Sequence, residues 1–430
     1  MEMDEDIRLL QRLVAIPSVS GAEQAIGDAV EAEFRNMGLE VERYEIGNGR
    51  PVVLGILRGG RPGPALLFDG HTDTHPVEDY LGDPFEPRIE DGRLYGRGSV
   101  DMKGGLAAMM RAAGRLKSCR EKLAGSLIVA AVPDEELLSQ GTAFLAELGV
   151  KAQAGIVGEP TGLKIGRAMR GVTHIDLTVT GTPKHTSSWS GDENAIVQMG
   201  KILAALDREL PERYERRRHE LLGTPLFNVG LIRGGGKPNV VARECTATLL
   251  RRDLPGEVPK QVFGELLEIA EKAASGACKV SVVESPIQRR PGGGKRLPME
   301  VEPGSRIVEV LKNSARQVTG AEAEDGMVPF WCDASILTNE AGIPTVVFGP
   351  GDIACAHSRE EWIDLKQYRD CIEIYERAAL GFWDSGECLY TVVFGKQGGR
   401  HDKRPAGRHK NVPRLRGVRC FICSCFPSAD

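Results

Sequence analysis

The sequence predicts an α/β protein: a main domain with a mostly parallel sheet and helices on both faces, carrying an inserted α+β domain of ferredoxin-like order. Three observations predict it. Short apolar strands alternate with helical stretches up to about residue 168, as in parallel α/β sheets. Several of those strands empty into a glycine or proline followed by His, Asp or Glu. Near residue 170 the pattern changes to half-exposed alternation in the order strand-helix-strand-strand-helix-strand. The boundaries expected are 1–168 for the first part of the main domain, 169–286 for the insert, 287–386 for the second part and 387–430 for a basic tail.

Residues 5–38 read as helical, with Ile7, Leu10, Leu13 and Val14 at helical spacing, a break at Pro17-Ser18 and a second stretch from Ala25 to Met37. Val41–Ile46 and Val52–Leu57 read as strands around a Gly-Asn-Gly turn. Leu66-Leu67-Phe68-Asp69-Gly70-His71-Thr72-Asp73 is the anchor: a buried strand breaking at Gly70 into a histidine and a carboxylate. A glycine-rich turn, 92–98, leads to Ser99-Val100-Asp101, and Met102–Leu116 reads as an amphipathic helix with Leu106, Met109, Met110 and Ala113 on one face. Ser126–Val132 is an apolar strand running into Pro133-Asp134-Glu135-Glu136; Phe144–Leu148 belongs to a helix, and Ala154–Val157 ends in Gly158-Glu159-Pro160.

In the insert, Val172–Val179 alternates His174, Asp176 and Thr178 against Ile175, Leu177 and Val179. A helix over 194–210, strands over 227–232 and 244–250, a helix over 258–273 and a strand over 279–283 follow. Pro286–Pro298, with Pro291-Gly292-Gly293-Gly294, is the return hinge. Helix Ile307–Val318, the turn Trp331-Cys332-Asp333-Ala334 and strand Thr345–Phe348 resume the α/β rhythm, and that strand opens into Gly349-Pro350-Gly351 and His357.

At 430 residues the chain exceeds one ordinary core. Its net charge of −5 is uneven: residues 387–430 hold nine Lys/Arg against three Asp/Glu (+6), leaving 46 against 57 (−11) before them. An acidic body argues against nucleic acid as a partner. No apolar run approaches the ~20 residues that span a bilayer, so no membrane partner is expected. The acidic start Met1–Asp6 is unlike a secretory signal, and ten cysteines without a framework suit a reduced cytoplasm. The tail, ending Cys420-Phe421-Ile422-Cys423-Ser424-Cys425, reads as a disordered or frame-shifted segment; a fourth metal ligand beside those cysteines is not evident.

His71, Asp73, Asp101, Glu135, Glu136, Glu159 and His357 all sit beside strand ends or glycine turns. Ligands collect at the carboxyl ends of strands in such sheets. Alone, a His-x-Asp tripeptide is commonplace and an Asp-Glu-Glu run is usually a solvated surface; it is the joint placement that carries weight. Two histidines with several carboxylates suit zinc, cobalt or manganese rather than an all-oxygen cage. The surplus of carboxylates suggests two metals ~3.5–4 Å apart with a shared carboxylate. Of the adjacent Glu135 and Glu136, one could ligate while the other works as base. His75 is read as a decoy, in a supporting or surface position. Gly234-Gly235-Gly236-Lys237 and Gly292-Gly293-Gly294-Lys295 lack the following Ser/Thr and the spacing of a phosphate loop, so nucleotide binding is set aside.

His71-Thr72-Asp73-Thr74, Gly96-Arg97-Gly98-Ser99-Val100-Asp101-Met102-Lys103-Gly104-Gly105 and Asp134-Glu135-Glu136, in that order, resemble the dizinc aminoacylase/carboxypeptidase family. That family includes acetylornithine deacetylase, succinyl-diaminopimelate desuccinylase, aminoacylase and glutamate-releasing carboxypeptidases, and the likeness runs from about residue 5 to 385. The resemblance implies that His71 and Glu159 hold one metal, Glu136 and His357 the other, with Asp101 bridging, Asp73 orienting His71 and Glu135 as general base. It makes the insert a dimerisation or lid domain, whose His185, in Gly181-Thr182-Pro183-Lys184-His185, reaches the partner subunit's site. Asn239, Arg252 and Gly349 match substrate-contacting positions, with Arg251 a rival for Arg252. Trp189 and Cys332 depart from the family's usual proline and threonine, which bears on substrate preference. The function implied is a cytoplasmic, homodimeric amidohydrolase with two Zn²⁺ per subunit, cleaving an N-acyl amino acid by metal-activated water. Alternatives are a dipeptidase or carboxypeptidase with the same site, or a non-catalytic binding homologue.

Overall fold

The computed structural model describes residues 4–188, 191–287, 290 and 293–383. Trp189, Pro291, Gly292 and the basic tail with Cys420, Cys423 and Cys425 lie outside the described residues. The chain begins α1 (Glu5–Val14), α2 (Gln24–Asn36), β1 (Glu40–Ile46), β2 (Arg50–Arg58), β3 (Arg61–His71), β4 (Arg88–Glu90), β5 (Arg93–Tyr95), α3 (Lys103–Leu116), β6 (Ala124–Val132), α4 (Gln140–Leu148), β7 (Ala154–Val157) and β8 (Ile165–Met169). It continues β9 (Thr173–Thr180), α5 (Ala195–Glu215), β10 (Leu226–Gly234), β11 (Glu244–Arg252), α6 (Pro259–Ala273) and β12 (Lys279–Glu284). It closes with β13 (Met299–Glu300), α7 (Arg306–Thr319), β14 (Asp325–Val328), α8 (Ala334–Asn339), β15 (Thr345–Val347), β16 (Trp362–Asp364) and α9 (Leu365–Trp383).

The main sheet has nine strands in the order β1-β2-β6-β3-β7-β15-β8-β13, with β14 beside β8. Its centre is parallel: β3 pairs with β6 on one side and β7 on the other, and β7 pairs with β15. The flanks are antiparallel, at β1–β2–β6 and at β13–β8–β15. The expectation of a mostly parallel sheet therefore holds for the strands that carry the site. Leu66, Leu67 and Phe68 are fully buried because this strand is covered on both faces. Gly70 faces Met102 and Leu106 at the start of α3, and Phe68 packs on Tyr375 of α9. On the opposite side of the sheet, α4 and α8 meet through the bond from Thr142 to Asp333.

The helix expected to be amphipathic, α3, is so: Arg115 is exposed and Arg111 half-buried, opposite a broad apolar face. Leu106, Ala107, Ala108, Met109, Met110, Ala112 and Ala113 are all buried, because α1 and α9 cover the side turned away from β3. Its small residues permit close approach: a Cβ on Gly105 would come within 2.0 Å of the Gly158 carbonyl oxygen. β8, the short sheet β16-β5-β4 and helix α9 were not anticipated from the sequence. The three-residue strands are too short to show a period. In α9, Tyr368, Cys371, Ile372, Tyr375, Ala378, Ala379 and Phe382 are buried at helical spacing, a signal the sequence does contain.

The second sheet has four strands in the order β10-β11-β9-β12, all antiparallel. Strand-helix-strand-strand-helix-strand in this order is the ferredoxin-like arrangement expected. Ile175, Leu177, Val179, Ala247 and Leu249 pack against Met199, Ile202, Leu206, Leu266 and Ile269 of α5 and α6. The other face is polar, with Thr178 on Thr246 at 2.9 Å and Thr248 donating to Asp176 at 2.8 Å. Among the described residues the six cysteines are free, and no helix is long and apolar enough to cross a membrane.

Gly105→Ala gains up to ~1 kcal/mol of helix propensity but forces a methyl into the Gly158 carbonyl. Overpacking of this kind costs about 1–3 kcal/mol. Urea denaturation is expected to show a lower midpoint for Gly105→Ala; an unchanged or raised midpoint would contradict the close packing of α3.

Candidate metal centre

Because β3, β6, β7 and β15 run parallel, their carboxyl ends share one edge of the sheet. His71 is the last residue of β3 and pairs with Val132 of β6, so Glu135 and Glu136 follow within one turn of chain. Asp69 pairs with Val157 of β7, which places Glu159 two residues beyond that strand. Asp101 arrives from the loop between β5 and α3, and His357 from the loop between β15 and β16. Residues separated by up to 286 positions, His71 to His357, thus meet at one place.

Asp101 lies between the two imidazoles. Its Oδ1 is 3.1 Å from His71 Nε2 and its Oδ2 is 3.1 Å from His357 Nε2. His71 Nε2 is also 3.4 Å from Glu159 Oε1, and His357 Nε2 is 3.0 Å from Glu136 Oε1. Two ligand groups emerge, His71–Glu135–Glu159 and Asp101–Glu136–His357, each with its donor atoms within 4.8 Å of one another. Each offers one imidazole nitrogen and two carboxylates, a donor set suited to zinc, cobalt or manganese. The residues present therefore fit a pair of divalent cations.

Supporting contacts fix this geometry. His71 Nδ1 is 2.9 Å from the Asp73 carbonyl oxygen, which makes it the N–H side of the ring, while the Asp73 carboxylate stands 3.6 Å away. That carboxylate instead accepts the backbone N–H groups of Glu135 (3.1 Å) and Glu136 (3.2 Å) and the Ser20 hydroxyl (2.7 Å). Asp73 thus orients His71 through its backbone and sets the two glutamates through its side chain. Asp134 holds a left-handed φ of 78°, bonded by Arg50 and by Gln140.

Glu361 is a supporting residue that the sequence did not disclose. Fully buried, it accepts from the N–H groups of Val100 (3.0 Å) and Asp101 (3.1 Å) and from Arg97 (2.8 Å). It stands in the run Arg359-Glu360-Glu361-Trp362, which reads as a solvated surface, and its partners lie some 260 residues away.

Crowded acids shift one another's protonation. Burial, then Asp101, pushes the Glu159 carboxyl up to about 8. Burial, Glu159 and Asp333 hold Glu135 well above the ordinary range. For His71 burial works downward, but Glu159 and Asp101 outweigh it and hold the imidazole well above its usual value. Hydrogen bonds to Asp101 and Glu136 take His357 up to about 10. Asp101 alone is held low, because its two histidines overcome the effect of burial.

Residues 67–381 match the sequence profile of peptidase family M20/M25/M40. The chain belongs to that family. The M20 chain is 30% identical over 398 residues to an acetylornithine deacetylase of Pectobacterium carotovorum, a match covering 89% of this chain and 99% of the relative. Among solved structures it resembles a metallo-carboxypeptidase of Sulfolobus solfataricus (TM-score 0.68, 21% identity, 88% of this chain and 99% of the other). It also resembles a dinuclear metal-binding peptidase of Bacillus subtilis (TM-score 0.68, 16% identity, 87% and 97%). At these identities the structures speak for the fold. The M20 protein is a metal-dependent hydrolase.

The other candidate residues sit as follows in the M20 protein. Arg251 is fully buried and tied to Asp253, Glu257 and Tyr214, so it is a structural cation of the insert. Arg252, on the opposite face of β11, is half-buried and its side chain makes no hydrogen bond or ion pair with the described residues. His185 and Asn239 are exposed and brought together by the backbone pairing of His185 with Val240. Among the described residues no hydrogen bond or ion pair joins either of them to the metal ligands. Gly349 lies against Gly158 and Glu159, where a Cβ would come within 2.3 Å of the Gly158 oxygen, and its N–H donates to Thr161 Oγ1 at 3.2 Å. Cys332 is buried next to Asp333 at the start of α8.

In the metal-free protein at pH 7, the raised values leave protons on His71, His357 and Glu159. Ligation removes them, so metal binding is expected to release more than one proton per chain and to tighten as pH rises towards 9. Raised groups also favour the folded, metal-free chain at low pH, and that contribution is lost as pH rises through their folded values of about 8 and 10. Calorimetric titration with zinc in buffers of different ionisation enthalpy reads the proton count; enthalpies independent of buffer would contradict this electrostatic picture.

Proposed function

We propose that the protein hydrolyses the amide bond of an N-acyl amino acid, as a deacylase of the acetylornithine deacetylase or succinyl-diaminopimelate desuccinylase kind. The observation that carries this reading is Asp101 set between His71 and His357, with Glu159 and Glu135 grouped at the first histidine and Glu136 at the second. The relative at 30% identity, an acetylornithine deacetylase, supports the acyl substrate.

His71 and Glu159 would hold one ion, Glu136 and His357 the other, with Asp101 shared; zinc is the first choice, cobalt or manganese the next. When bound, such a pair polarises a carbonyl and makes water acidic near neutral pH. Glu135 is free to work as base because its neighbour Glu136 supplies the ligand. Its carboxylate takes a proton from the attacking water and hands it to the leaving amine. The upward push of burial and Glu159 raises its proton affinity above that of an ordinary carboxylate, as suits a base. Arg252, whose side chain makes no hydrogen bond or ion pair among the described residues, suits the substrate carboxylate, while Arg251 is committed to Asp253 and Glu257. Gly349 and Asn239 would add backbone and amide contacts. The region 169–286 would serve as a dimerisation or lid domain, the protein acting as a cytoplasmic homodimer in which His185 steadies the oxyanion across the interface.

A dipeptidase or carboxypeptidase would use the same residues, with a peptide in place of the acyl group. A binding protein without activity would have no use for Glu135.

Purified, metal-loaded protein is expected to turn over N-acetylornithine or N-succinyl-diaminopimelate faster than any member of a dipeptide panel. Turnover of dipeptides alone would shift the assignment to a peptidase, and turnover of none would overturn both. Glu135→Gln is expected to lower kcat by about 10²–10⁴-fold with two ions still bound per chain; retained activity would remove Glu135 from the base role.

A further inference from the structure

The two histidines of the metal centre are held in different ways. His71 is buried, and its Nδ1 is fixed by the Asp73 carbonyl oxygen at 2.9 Å. Ligating histidines are ordinarily oriented by such a bond. His357 has none among the described residues: its Nε2 meets Asp101 and Glu136, but its Nδ1 makes no hydrogen bond there. Its side chain is 44% exposed and its backbone adopts a left-handed φ of 56°. A ring so placed could swing about its side-chain bonds and withdraw Nε2 from between Asp101 and Glu136.

A second imidazole lies flat against it. The ring of His75 stacks on that of His357 with centroids 4.1 Å apart and planes inclined by 20°. The backbone of the residue before His75 is anchored. The Thr74 N–H donates to the Ser18 carbonyl at 2.9 Å, and the Ser20 N–H to the Thr74 carbonyl at 3.4 Å. Pro76 follows directly, which confines the backbone of His75 to extended conformations. Its Nδ1 is buried with no hydrogen-bond partner among the described residues, so the ring is placed by packing. His75 is not itself a member of either ligand group.

We propose that His75 is a positioning residue for His357, holding the plane of that ligand by ring stacking so that its Nε2 stays aimed at the ion shared with Asp101 and Glu136. The stack does for His357 what the Asp73 carbonyl does for His71. The inference rests on the two-ion reading of the site, and it goes beyond it by giving one ion a separate dependence on a residue that touches no metal. Stacking needs a flat ring and no particular nitrogen, so phenylalanine at position 75 should substitute.

The test is equilibrium dialysis against chelator-buffered zinc, with bound ions counted by elemental mass spectrometry for the wild type, His75→Ala and His75→Phe. The wild type should take up two ions. His75→Ala should bind one of them about tenfold more weakly, the size usual for loss of a ligand's supporting contact, and keep the other unchanged. His75→Phe should recover most of the loss. In a His357→Ala background, His75→Ala should have no further effect. The proposal is overturned if His75→Ala binds both ions as the wild type does, if it loses both together, if His75→Phe is as weak as His75→Ala, or if the losses add in the His357→Ala background. A wild type that binds fewer than two ions would sink the two-ion reading itself, and that result is read without any variant.

Discussion

The placement of the Asp101 carboxylate, one oxygen on each of two imidazoles, is the contact on which the rest of the centre depends. A carboxylate shared in this way must be aimed in two directions at once, so its backbone has to be immobile. Glu361 supplies that constraint by accepting two consecutive N–H groups and the Arg97 guanidinium. A buried carboxylate with charge-assisted partners is costly to leave unpaired, which makes the Asp101 loop rigid relative to the sheet. Asp73 plays the matching part on the other side, bonding the backbone of both Glu135 and Glu136.

The cluster is an electrostatic excess. Asp101, Glu135, Glu136 and Glu159 converge on two imidazoles, and the raised proton affinities of Glu135 and Glu159 record the crowding. Behind them Asp69 and Asp333 add two more buried acids. Like charges this close stay ionised together only when cations neutralise them. Parallel strands make the arrangement affordable in chain terms, since each ligand needs only to follow a strand end by a few residues.

Much of this was legible in the sequence because ligands placed after strand ends keep a local signature. His71 after Leu66–Phe68, Glu136 after Ser126–Val132 and Glu159 after Ala154–Val157 each show an apolar run followed by a break and a donor. The alternation of Ile175, Leu177 and Val179 likewise disclosed which face of the insert is buried. What stayed hidden is what depends on contacts across the chain. Glu361 looks like surface charge until its distant partners are seen. Met102–Leu116 shows an apolar face, yet only the packing of α1 and α9 tells that Ala107, Ala108 and Ala112 are buried too. Arg251 and Arg252 are adjacent and chemically alike, and only the register of β11 assigns one to the core and the other to the open face. His75 looked incidental because ring stacking leaves no spacing pattern.

The central claim, that Asp101 joins two ions, is most directly tested by X-ray absorption fine structure on the zinc-saturated protein. The account predicts a metal–metal vector at roughly 3.5–4 Å, accompanied by imidazole scattering from both sites. A protein that binds two zinc ions without such a vector, or that saturates with a single ion, would contradict it.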